Sequence, residues 1–196
     1  MGKLYVLMGK SSTGKDTIYK ELLKNDKLSL KEVVIYTTRP IRNGEMNGRE
    51  YHFVDEKTLS ALQEQGKIIE RRDYNTVHGV WSYFTVNDGQ IDLEKDDYLV
   101  IATLEAYREF IRFFGKENVC PIYVEVEDGE RLSRALEREK QQREPKYAEL
   151  CRRFLADSED FSKEKLEEAK IERIFANVSL NTCLEEIVNY VLSLSE

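Results

Sequence analysis

Cysteine is scarce: 196 residues carry three, Cys120, Cys151 and Cys183. An odd number, far apart and outside any metal-ligand spacing, excludes a disulfide framework and a zinc module and suits a reducing compartment. Long apolar runs are missing too. The longest span about five residues, against the ~20 a membrane helix needs. No basic-then-apolar segment opens the chain, so a signal peptide is not expected and a cytoplasmic location is. Proline is limited to three residues, and no linker, repeat or low-complexity tract divides the chain. Basic excess is absent as well. With 37 acidic against 30 basic residues, the net charge of −7 has the wrong sign for a polymer of phosphates. Neither a nucleic acid nor a membrane is expected as a partner.

What is present is a charged, globular composition, 41% hydrophobic and 34% charged, long enough to bury a sizeable core. Arginine is concentrated in patches: Arg39, Arg42 and Arg49, then Arg71 and Arg72, then Arg131, Arg134, Arg138, Arg143, Arg152 and Arg153. An acidic protein that gathers arginine locally suits small phosphorylated ligands.

The most informative stretch is Gly9-Lys10-Ser11-Ser12-Thr13-Gly14-Lys15-Asp16-Thr17. It follows an apolar strand pattern, residues 4–8, and precedes a helical one with Ile18, Leu22 and Leu23 on one face. Strand, glycine turn and helix in that order build a phosphate-binding loop. The glycines let successive N–H groups converge on an anion, and the helix adds its positive end. Lys15 brings a mobile charge to the outer phosphates of a nucleoside triphosphate. The spacing is G-x-x-x-x-G-K, but Asp16 stands where Ser or Thr is usual. A carboxylate also suits Mg²⁺, with the Thr17 hydroxyl as a second candidate ligand. Without metal, Asp16 repels the phosphates, so nucleotide binding is expected to depend heavily on Mg²⁺.

Further along, residues 32–36 read as a buried strand, and Asp55 as the cap of a helix bearing Leu59, Ala61 and Leu62. Residues 68–86 read as two or three short strands with a turn at Asn75-Thr76, and residues 90–94 as a short helix. A strand over 98–102, a helix over 104–114 closed by Gly115, and a strand over 119–126 follow. Asp128 is expected to cap a charged helix reaching residue 142, with a second helix from Lys146. A strand over 173–176 and a helix over 182–194 end the chain. Buried strands alternating with helices give an α/β fold with a parallel sheet. Residues 37–86 interrupt that alternation and read as an inserted, mostly antiparallel subdomain.

Within the insertion, Thr37-Thr38-Arg39-Pro40-Ile41-Arg42-Asn43-Gly44-Glu45 continues to Tyr51-His52-Phe53-Val54. Two arginine forks and a tyrosine in one loop can clamp a phosphate dianion, although a solvated basic turn has the same composition. The phosphate loop followed by T-T-R-x-x-R-x-G-E-x-x-G-x-x-Y-x-F-V resembles the guanylate kinase family along nearly the whole chain. The resemblance implies a P-loop NTPase-type core (residues 1–36 and 87–196), an inserted small NMP-binding subdomain (37–86) and a helical lid (128–160). It implies ATP, GMP and Mg²⁺ as ligands, with Gly9, Ser11, Ser12, Thr13, Gly14, Lys15, Asp16, Thr17 and Arg134 on ATP. By resemblance, Arg39, Arg42 and Tyr51 hold the acceptor phosphate, Glu70 accepts from the guanine edge, and Arg138 and Arg153 reach the transferring group. Arg152 is an alternative to Arg153. A monomer or homodimer is expected.

The match is uneven around the base. The family's Y-G-S-like triplet reads His78-Gly79-Val80, its serines before T-T-R are Ile35 and Tyr36, and its D-x-D falls on Ile101 and Thr103. His78, Thr103, Trp81 and Ser82 are candidates to replace those readers, with Trp81 equally suited to lining the pocket. The Gly-Lys-Asp of the phosphate loop is also similar to ribose 1,5-bisphosphate phosphokinase, which needs no base pocket. A third reading is a non-catalytic guanylate-kinase-like binding module.

Overall fold

The computed structural model describes residues 1–76 and 79–194. Strand β1 (Leu4–Met8) is wholly buried and forms the middle of a five-stranded sheet. Its neighbours are β7 (Tyr98–Ile101) and β8 (Val119–Glu125), with β2 (Lys31–Glu32) and β9 (Ile174–Ala176) at the edges. All four pairings are parallel. Because side chains alternate across a strand, Leu4, Val6 and Met8 enter one core while Tyr5 and Leu7 enter another. The first core meets α3 (Leu104–Phe114) through Tyr107 and Phe110. The second meets α1 (Lys15–Leu23) and α7 (Leu180–Ser193) through Ile18, Leu22, Ile187 and Val191.

A second sheet lies between residues 36 and 86, in the order β4 (His52–Phe53), β3 (Tyr36–Thr37), β6 (Gly79–Val86), β5 (Ile68–Thr76). It is mixed: β3 runs parallel to β4, and β6 antiparallel to both β3 and β5. Helix α2 (Glu56–Glu64), capped by Asp55 accepting from the Thr58 amide, packs Leu59 with Phe84 and Val86. Helices α4 (Asp128–Lys140) and α5 (Tyr147–Asp160) stand against each other beside the phosphate loop, and a short α6 (Lys163–Glu168) follows.

Several local expectations are corrected. The single strand expected over 32–36 is two strands in different sheets. After β2 the Val34 amide donates to the Gln90 side chain at 3.0 Å, which ends the first ladder before Tyr36 joins the second. Residues 90–94 are turns, not a helix: Asp88 and Asp92 accept from the backbone two residues on, and such local bonds compete with helix. Asn75 and Thr76 pair with Val80 and Gly79 as strand rather than turn. The cap of α4 is Glu127, accepting from the Glu130 amide at 2.9 Å, not Asp128. Among the described residues no helix is long and apolar enough to cross a membrane.

Candidate functional site

The loop between β1 and α1 sits at the carboxyl end of the parallel sheet. A side chain at Gly9 would collide with the Val124 carbonyl, so the loop lies directly on β8. Gly14 caps α1 at φ 88°, a left-handed conformation that favours glycine, and a Cβ there would stand 2.6 Å from Asn177 Nδ2. Asn177 Nδ2 donates to the Thr13 carbonyl at 2.8 Å, fixing the loop from the far side. Ser12 also takes a positive φ of 65°, and the buried Thr13 hydroxyl donates to the Lys10 carbonyl. The same carbonyl accepts from Lys15 Nζ at 3.0 Å. Burial pulls the Lys15 ammonium below the ordinary lysine range, with Asp16 and Asp157 opposing that shift.

Two residues not singled out from the sequence complete this end. Arg131 is buried; it donates to Asp128 at 3.0 and 3.1 Å, to Asp157 at 3.2 Å and to the Ser11 carbonyl at 3.3 Å, and stacks on Phe154. Asp157 accepts from the Ser11 amide at 2.8 Å. A carboxylate of α5 thus holds a loop N–H of the kind that binds phosphate. Arg131 belonged to a visible arginine series, but nothing in the sequence marked Asp157 among the acids of its helix.

One cleft of about 840 Å³ joins the loop to the second sheet. Gly9, Ser11, Lys15, Asp16, Arg42, Tyr51, Thr103 and Arg153 line it, as do Arg72, Tyr74, Trp81, Tyr83, Arg152 and Asp157. Arg153 carries a buried Nε without a hydrogen-bond partner among the described residues. Arg152 is held in a two-point pair with Glu149. Arg138 reaches Ser12 Oγ at 3.3 Å across a smaller cavity, whereas Arg134 turns to Glu130 and the Asn177 carbonyl. Thr17 is exposed on the first turn of α1, outside the cleft lining.

Other residues expected in the acceptor site are already engaged. Arg39 is 3% exposed, away from the cleft lining. It forms a two-point pair with Glu45 at 2.9 and 3.0 Å and lies over the rings of Tyr51 and Phe53. Burial works against its charge, but the Glu45 bond and charge together with Tyr83 outweigh it, and its pKa is raised. Tyr51 packs edge-on against Tyr83, and burial raises its phenol. Glu70 is buried and accepts from Arg72 at 2.9 and 3.2 Å and from Thr85 at 2.7 Å. Thr103 lines the cleft, yet its hydroxyl oxygen caps α3 by accepting from the Ala106 amide. Ser82 bonds to Asp73. His78 lies outside the described residues.

Phosphate loop, parallel sheet and inserted mixed sheet together match one family: the guanylate kinase model covers residues 1–152. The chain belongs to the guanylate kinase family. A guanylate kinase of Aromatoleum aromaticum is 42% identical over 78 residues, 40% of this chain and 36% of that protein. One from Anaplasma phagocytophilum is 31% identical over 137 residues, 69% of this chain and 63% of the relative. With the first relatives, such as that of Aromatoleum, the matched stretch spans only about a third of their length. The crystal structure of guanylate kinase from Anaplasma phagocytophilum superposes with a TM-score of 0.68 at 20% identity, covering 98% of this chain and 85% of that one. This likeness gives the fold, the P-loop NTPase type with a mixed second sheet.

Proposed function

We propose that this chain transfers the γ-phosphoryl group of ATP to a nucleoside monophosphate, GMP foremost, releasing ADP and GDP. The observation that carries this is the continuity of the cleft. One cleft is lined by Lys15 and the loop, by Arg42, Tyr51 and Arg72 of the segment that carries the second sheet, and by Arg152 and Arg153 of α5. Phosphoryl transfer needs little covalent help; it runs on alignment and on neutralising charge spread over the phosphoryl oxygens. Lys15 and the loop amides hold the donor, and Arg153, which lines this cleft beside Glu149, meets the transferring group. Arg42 and Tyr51 hold the acceptor phosphate, joined by Arg39 if it exchanges Glu45 for that phosphate. Helices α4 and α5, residues 128–160, act as the lid over the NMP-binding insertion (residues 37–86) and the core, and closure keeps water from the γ-phosphate.

Asp16 fits Mg²⁺. It lines the cleft beside Lys15. That suits a metal held by one carboxylate and phosphate oxygens, whereas Thr17, on the same turn, lies outside the cleft lining. When bound, Mg²⁺ neutralises charge on the β- and γ-phosphates. The enzyme works on free nucleotides in the cytoplasm as a monomer or homodimer, without nucleic acid or membrane.

The test is ADP release from Mg-ATP with GMP, dGMP, AMP, UMP, CMP and ribose 1,5-bisphosphate. GMP turnover is expected, reduced about 10²–10³-fold or more in Lys15→Met. Turnover with the sugar bisphosphate alone, or with no acceptor, overturns this reading.

A further inference from the structure

We propose that Arg72, held in place by Glu70, reads the hydrogen-bond-accepting edge of the acceptor's base. The site then takes 6-oxopurine monophosphates through O6 and N7 and does not require the 2-amino group of guanine. This rests on the kinase reading above and names its substrate class more closely.

Glu70 cannot serve the base in the position it holds. Its side chain is 1% exposed, Oε2 accepts from Arg72 Nε, and Oε1 accepts from both Arg72 Nη2 and Thr85 Oγ1. Both carboxylate oxygens are therefore turned inward. Arg72 faces the cleft instead. Its side chain is only 10% exposed, and Nη1 has no hydrogen-bond partner among the described residues. A buried guanidinium with two donor nitrogens fixed behind it presents the remaining edge in one orientation.

The surroundings select what that edge meets. In the β5–β6 register Arg72 stands opposite Tyr83 and Tyr74 opposite Trp81, and all four line the cleft. Aromatic walls fit a flat ring. Arg72 and Glu70 together carry no net charge, which favours neutral acceptor atoms over a second phosphate. Guanine and hypoxanthine offer O6 and N7 side by side, the pair that arginine forks recognise, whereas adenine places an amino donor where O6 would be. Glu70 is accordingly a positioning residue.

The experiment compares kcat/KM of the full chain with Mg-ATP and GMP, IMP, AMP or 2-aminopurine ribonucleoside monophosphate. IMP is expected within about tenfold of GMP, while 2-aminopurine monophosphate and AMP, which lack O6, fall by about 10- to 100-fold. Glu70→Gln is expected to lower GMP and IMP by the same factor and leave their ratio unchanged. A selective loss of GMP in that variant overturns the inference. So does rejection of IMP by the unaltered chain that still turns over GMP, and in that case the kinase reading stands. Failure with every monophosphate overturns both.

Discussion

Lys15 shows how much of the proposed chemistry rests on a single half-buried charge. Burial lowers its pKa from the ordinary 10.5, so in the window below that value the unfolded chain binds more protons at this position than the folded one. Stability of the free protein therefore rises with pH across the window. A bound phosphate restores the proton, so nucleotide affinity falls over the same interval. Calorimetric titration of ATP from neutral to alkaline pH should show that decline. Lys15→Arg should flatten it, since a guanidinium does not titrate there. Arg39 and Arg72 differ from Lys15 in arriving already paired, with Glu45 and Glu70, so each can give a ligand only the donors its carboxylate leaves free.

At the scale of elements, α5 carries both the arginines proposed to meet the transferring group and the carboxylate that holds the loop. Asp157 accepts from the Ser11 amide and from Arg131, and a phosphate binding that amide must displace it. Asp157→Asn keeps the acceptor and removes the charge. ATP should then bind about fivefold tighter, equivalent to about 1 kcal/mol, as read by equilibrium titration. Weaker binding would show that Asp157 works with the nucleotide rather than against it. The start of α3 has a different logic. Thr103 lines the cleft, but its oxygen caps the helix at 3.2 Å, so Thr103→Ala should cost about 1 kcal/mol in urea denaturation. Its effect on acceptor KM should be small.

The whole molecule is built from two sheets with separate cores. The insertion rests on a small cluster of Leu59, Phe84 and Val86, while Ile69 of β5 belongs to the main core and ties the two together. Phe84→Ala should remove about 3–5 kcal/mol from the smaller cluster. Hydrogen exchange should then show lost protection in β5 and β6 with β1, β7 and β8 still protected. ATP binding should survive and GMP turnover should not. Uniform loss of protection would show that the molecule opens as one unit.

The sequence by itself determined the parts whose geometry is local. The spacing of Gly9, Gly14 and Lys15 between an apolar strand and an amphipathic helix specifies the phosphate loop, because turn, amides and helix end lie within about three turns of chain. The alternation of buried strands with helices likewise specified the parallel sheet. The split of residues 31–37 between two sheets was not legible, since hydrophobicity runs through it unbroken and the break comes from Gln90, 56 residues away from Val34. Nor was Asp157, which meets Ser11 across 146 residues and looks in sequence like any acid on a charged helix. Glu70 and Arg72 are neighbours on one strand face, but only packing against Thr85 decided that the acid turns inward and the base faces the cleft. Desolvation made that choice: the buried carboxylate needs every donor within reach, and the arginine has donors left over.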